Sequence, residues 1–192
     1  MKMKKLWMAL FVCLLMCSLL SVGALAEDMQ AEDAQAMPAA NSEEGLTGSG
    51  TSSDPFLVNQ DSLAALAAYF DANEANPPEE TIYLKGDGDI QLPEGIHITL
   101  PEGFIINLDF NGYRLSKSDM ADSAPIENNA ILTIEDSSEG QKGGIDGKNR
   151  CINNHAVATI NGGFYTTNSD IGGGGTAIRN ADADSEMTIN DL

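Results

Sequence analysis

Along the second half of the chain, apolar and polar positions recur at a fixed interval of 26 residues. Ile126, Ile152 and Ile178 form one column, each followed two places later by asparagine: Asn128, Asn154 and Asn180. Leu108, Ile134 and Ile160 form a second column, which Ile189 continues after 29 residues. Ile106, Leu132, Ala158 and Met187 form a third, two places earlier. Counting 26 back from Leu108 reaches Ile82 in the run Thr81-Ile82-Tyr83-Leu84, so the repeat is expected to start near residue 80 and to make about four coils. None of its apolar runs is long enough for a helix, and β-branched residues dominate them, so each predicts a short strand. Equal coil length stacks corresponding strands in parallel at about 4.8 Å. One coil alone could bury nothing, whereas several together enclose a continuous core.

The asparagines lie on the inward side, where an unpaired amide is costly. Stacked along the axis they can bond to one another and to the turn backbone, so a structural ladder is expected. Thr133, Thr159 and Thr188 form an outward stack of the same kind. Upstream, Leu63, Leu66, Ala67 and Phe70 follow a helical stripe, which predicts a helix over residues 62–72 capped by Asp61 or Ser62 and ended by Asn76-Pro77-Pro78. It is expected to cover the open end of the solenoid. Between the turn signals Leu92-Pro93-Glu94-Gly95 and Leu100-Pro101-Glu102-Gly103, alternation points Ile96, Ile98 and Leu100 inward and His97 outward.

The order of several motifs resembles one family. Gly50-Thr51-x-x-Asp54-Pro55-Phe56, the capping helix, Leu108-Asp109-Phe110-Asn111-Gly112-Tyr113, Leu132-Thr133-Ile134-Glu135-Asp136-Ser137 and Thr159-Ile160-Asn161-Gly162-Gly163-Phe164 are together similar to the right-handed parallel β-helix regions, pectate-lyase-like in fold, of adhesin-like surface proteins from gut Firmicutes and related microbes. The resemblance covers residues 48–192. It implies an all-β solenoid displayed at a cell surface, and it supplies no catalytic residues.

The first 26 residues read as a secretory signal peptide: Lys2, Lys4 and Lys5, an apolar run from Leu6 to Leu20, and an Ala24-Leu25-Ala26 cleavage site. A retained anchor is disfavoured by the shortness of that run, and a lipoprotein by Met16 before Cys17. The expected product is secreted or surface-bound, with no stable membrane span after cleavage. Residues 27–50 are acidic and poor in large apolar side chains, which predicts a disordered linker. Residues 51–79 hold a strand and the helix, and residues 80–192 the solenoid. The last coil breaks off at Thr188-Ile189-Asn190-Asp191-Leu192, as in a fragment of a longer protein.

Losing the leader removes three of ten basic residues and none of 29 acidic ones, deepening the formal charge from −19 to −22. Nucleic acid is thereby excluded as a natural partner, and anionic polymers need bridging cations. Cys13 and Cys17 leave with the leader, so Cys151 has no partner for a disulfide; preceding Ile152, it reads as a small core filler.

Asp109, Glu135 and Asn161 form an outward column. One coil apart, the two carboxylates would lie about 5 Å from each other, the separation of a retaining glycosidase pair. Turn chemistry is the competing account. Asp182, Asp184 and Glu186, in the excess that stretches the last interval, offer oxygens for Ca²⁺ without the glycine of an EF-hand loop. Gly172 to Gly175 read as a flexible turn and His155 as an ordinary surface histidine. Phe164-Tyr165 could stack on sugars. Two functions compete: a noncatalytic module binding extracellular glycan or host surface, and a polysaccharide lyase or glycoside hydrolase. In lyases the family resemblance implies acids that bind Ca²⁺ and a base. Lys148, Arg150 and Arg179 are the basic residues near the acidic turns, and they form no convincing set.

Overall fold

The computed structural model describes residues 45–117, 124–167 and 176–190, all within the unit Ala40–Leu192. The predicted leader (1–26), linker residues 27–44 and the turn Gly172 to Gly175 lie outside the described residues. In chain order the elements are β1 (Phe56–Val58), α1 (Leu63–Asn73), β2 (Ile82–Gly86), β3 (Ile90–Leu92), β4 (Ile98–Leu100), β5 (Ile105–Asp109), β6 (Arg114–Lys117), β7 (Ile126–Asn128), β8 (Ile131–Glu135), β9 (Gly144–Asp146), β10 (Ile152–Asn154), β11 (Val157–Ile160), β12 (Phe164–Thr166), β13 (Ile178–Asn180) and β14 (Glu186–Ile189).

Every pairing between these strands is parallel, in three sheets: β1-β2-β5-β8-β11-β14, β3-β6-β9-β12 and β4-β7-β10-β13. Each coil contributes one strand to each sheet in turn. The described residues form an all-parallel β-solenoid of about five turns, with a single short helix among them. The count exceeds the expected four because β1 opens the first sheet one strand ahead of β2 and β14 extends it.

The predicted columns are in register. Ile126, Ile152 and Ile178 pair directly. Ile106, Leu132, Ala158 and Met187 pair along the first sheet, as do Leu108, Ile134, Ile160 and Ile189. Ile134, Ile152 and Ile160 are fully buried, and each such side chain stabilises the fold by about 1.5–3 kcal/mol. One alignment differs. Ile82 pairs with Ile106 and Leu84 with Leu108, so this coil is two residues shorter than the repeat. Ile96 is also displaced: it is half exposed, because the Pro93 carbonyl accepts its N–H at 3.2 Å and the strand starts only at Ile98.

Helix α1 sits where the apolar interior would otherwise open. Leu66 and Phe70 are buried, and Phe70 meets Phe104 edge-on at 5.3 Å between ring centroids. Tyr69 meets Phe56 at 5.0 Å. Ala67, assigned to the apolar stripe, is exposed instead. Ser62 stands at the N-cap, but its hydroxyl donates to the Asn59 carbonyl, and Asn59 Oδ1 accepts the N–H groups of Asp61 and Ser62. The entry turn is therefore organised by Asn59. Upstream, Leu46 packs against the core and Thr47 bridges to Leu57, which places residues 46 and 47 of the expected linker against the folded body. Among the described residues no helix is long and apolar enough to cross a membrane.

Candidate functional site

The outer face of the first sheet carries three columns. Asp109 and Glu135 are direct neighbours in register, as their spacing implied. Both are tied into the scaffold. Asp109 Oδ1 accepts the N–H of Asn111 at 2.9 Å and that of Ser137 at 2.8 Å, while its Oδ2 accepts the Ser137 hydroxyl at 2.6 Å, with Lys85 Nζ at 3.9 Å. Glu135 Oε1 accepts from Asn107 Nδ2. Asp109 thus closes its own turn and fastens the turn of the next coil. Asn161, next in the column, accepts a 2.6 Å bond from Asn190.

Beside these acids run Thr133, Thr159 and Thr188, in register as expected, with Asn107 extending the column by one coil. Beyond the threonines lies a column that the sequence reading passed over: Ile105, Ile131 and Val157. Ile131 is 51% exposed and Val157 37%. Their spacing of 26 was present in the sequence, but each stands one place before an inward residue and reads as part of the same buried run. Apolar, hydroxyl and carboxylate columns thus lie side by side on one face of the sheet.

The adjacent turn uses Asp136, only 7% exposed. Its Oδ1 accepts the N–H of Gly112 at 2.8 Å and of Ser138 at 3.1 Å, and its Oδ2 accepts that of Gly143 at 2.6 Å. Burial pushes its pKa up, but the hydrogen bonds from Ser138, Gly112 and Gly143 outweigh that and hold it below the usual value. It is a structural carboxylate.

The asparagine ladder is complete. Asn128 Nδ2 donates to Asn154 Oδ1 at 2.7 Å, and Asn154 Nδ2 donates to Asn180 Oδ1 at 2.9 Å. Cys151 is buried and its thiol faces the carbonyls of Ile145 and Thr166. Burial pushes its pKa up to about 11, which suits a filler and not a nucleophile. The aromatic pair divides. Phe164 is exposed with the Arg114 guanidinium 4.6 Å from its ring centroid. Tyr165 turns inward, donating to the Gly162 carbonyl at 3.0 Å, and burial raises its pKa.

His155 is more than a surface side chain. Its Nδ1 lies 2.9 Å from Asp182 Oδ2 and its Nε2 3.2 Å from Glu127 Oε2, so one imidazole spans three coils. Glu127 Oε1 also accepts from Asn153 Nδ2 at 3.0 Å, and Asn153 Oδ1 is buried without a partner among the described residues. The hydrogen bond to Asp182 raises the His155 pKa most; partial burial opposes it, and Glu127 adds to the rise. A raised folded-state value means the latch contributes fully below about pH 6.5, the unfolded value, and is lost as pH rises through the folded one. His155→Gln should therefore lower the melting temperature most in mildly acidic buffer and progressively less on the alkaline side. An equal deficit across that range would dismiss the latch.

Of the proposed calcium ligands, Asp182 is engaged by His155, and its carbonyl accepts the Ser185 hydroxyl at 2.8 Å to close the turn. Asp184 and Glu186 are exposed. Among the described residues no group of three or more His, Cys, Asp or Glu side chains is placed to hold a metal ion.

These features define a class, the all-parallel β-solenoid. Compared with family models, curated proteins and solved structures, the chain matches none of them.

Proposed function

We propose that the chain is a noncatalytic, secreted or cell-surface module that presents the outer face of its first sheet to an extracellular glycan or host surface. The observation that carries this reading is the exposed column Ile131 and Val157 beside the threonine stack and the acids. Apolar ring faces of a sugar can rest on the aliphatic column while its hydroxyls bond to Thr133 and Thr159. The resemblance to adhesin-like surface proteins of pectate-lyase-like fold points the same way. The acidic chain favours neutral or cationic ligands over anionic polymers.

The rival reading, a lyase or hydrolase, draws on the register of Asp109 with Glu135. The hydrogen bonds that hold both carboxylates favour the noncatalytic role. A glycan array with and without Ca²⁺, run beside a reducing-end release assay, separates the two. Binding without release is expected, and the Ile131→Asp, Val157→Asp double variant should weaken it at least about tenfold with an unchanged circular dichroism spectrum. Release that disappears in Asp109→Asn, Glu135→Gln would replace this reading with the enzymatic one. Binding indifferent to the Ile131 and Val157 changes would remove the face from consideration.

A further inference from the structure

The three sheets do not begin alike. The first sheet's edge strand is β1, and Leu57 of β1 donates its N–H to the Thr47 carbonyl at 2.8 Å. The second sheet's edge strand is β3, and Gln91 donates its N–H to Gln60 Oε1 at 2.8 Å. Both edges are covered by the chain itself. The third sheet begins at β4. Ile98 donates its N–H to the Pro125 carbonyl at 2.8 Å, and the Leu100 carbonyl accepts from Asn129 at 2.9 Å, so both residues turn toward β7. In a parallel ladder alternate residues face opposite sides, so the N–H and C=O of Thr99 between them face outward, along an edge with which no strand among the described residues pairs.

A groove of about 480 Å³ runs along that edge, between β4 and α1. Leu63, Leu66 and Ile98 give it an apolar floor, Ile96 stands half exposed at its mouth, and Asp71 and Glu74 mark the helix side. An unpaired strand edge beside an apolar groove and a helix is the arrangement that accepts an extended peptide by strand addition. We propose that this groove binds an extended segment of another protein, with alternating apolar and basic residues, as an added strand on β4. The backbone of Thr99 supplies hydrogen bonds, the floor takes the apolar side chains, and Asp71 and Glu74 pair with lysine or arginine. Charge argues against the adjacent stretch of this chain as occupant, since residues 27–44 hold six carboxylates and no basic side chain.

The test uses the full chain and a fluorescent, terminally blocked hexapeptide of alternating lysine and valine, read by anisotropy. Saturable binding is expected. Asp71→Lys with Glu74→Lys, both at exposed positions, should weaken it at least about tenfold, and so should Ala67→Trp, which fills the groove from an exposed helix position. Thr99→Pro removes an edge N–H for which the described residues supply no acceptor, and it should act likewise. A lysine–glycine hexapeptide should not bind. Equal binding of that peptide would show attraction to the acidic chain alone and overturn the proposal, as would affinity unchanged by Ala67→Trp and Thr99→Pro.

Discussion

Asn154→Ala should cost about 3–4 kcal/mol of unfolding free energy, measured by urea denaturation, and leave the solenoid marginal. Asn154 is fully buried. Its Oδ1 accepts from Asn128, and its Nδ2 donates to Asn180 Oδ1, to the Ala156 carbonyl at 3.1 Å and to the Glu186 carbonyl at 2.8 Å. Truncation strips the donor from two turn carbonyls, leaves the Asn128 amide short of a partner and opens a void. Asn154→Asp should be worse, because it replaces the donor with an oxygen facing three acceptors and places a charge at a fully buried position. Asn180→Ala provides the contrast: the same ladder position one coil on is exposed, and a loss of about 1 kcal/mol or less is expected there. If both alanine variants lose equally little, the ladder is decoration and the turns are held by other means.

Why the sequence revealed the ladder but not the whole solenoid follows from turn lengths. In the three central coils, from β5 to β13, the first and third sheets are joined without insertion, so their columns repeat at 26 and can be counted. The second sheet slips. Four residues separate β5 from β6, eight separate β8 from β9, and three separate β11 from β12. The following turns compensate in the opposite sense, so the coil length survives while the column Ile90, Leu115, Ile145, Tyr165 advances by unequal steps. No fixed period exposes it. The same limit applies to the acidic sites. The neighbourhood of Asp109 and Glu135 was legible from spacing, but the groups that hold them, Ser137 and Asn107, stand 28 residues away. His155 looked isolated for that reason: its partners Glu127 and Asp182 are 28 and 27 residues distant and share no local motif with it. Laying the chain out on its own repeat, one coil above another, would have brought these three residues to the same corner.

The second sheet therefore depends on a position where its strands can come close, and Gly144→Ala should damage the fold as severely as the change at Asn154. Gly144 pairs with Arg114 on one side and Phe164 on the other. Its φ of +144° is a conformation that side chains of the L series rarely adopt. A Cβ there would lie 2.1 Å from the Phe164 carbonyl oxygen and 2.5 Å from its nitrogen. Both obstacles are backbone, so no rotamer relieves them; β12 must move away from β9, loosening the 2.8 Å bond from Phe164 N–H to the Gly143 carbonyl and exposing Ile145 and Tyr165. A loss of about 4 kcal/mol or more is expected, with hydrogen-exchange protection falling first at Phe164 and Tyr165. Gly140→Ala is the control. Its φ of +77° is also unusual, but the turn is exposed and the nearest atom to an added Cβ belongs to the Lys142 side chain at 3.7 Å, so about 1 kcal/mol should be lost. Equal melting temperatures for the two alanine variants would mean that positive φ alone sets the cost. Backbone contact would then not be what fixes β9 against β12.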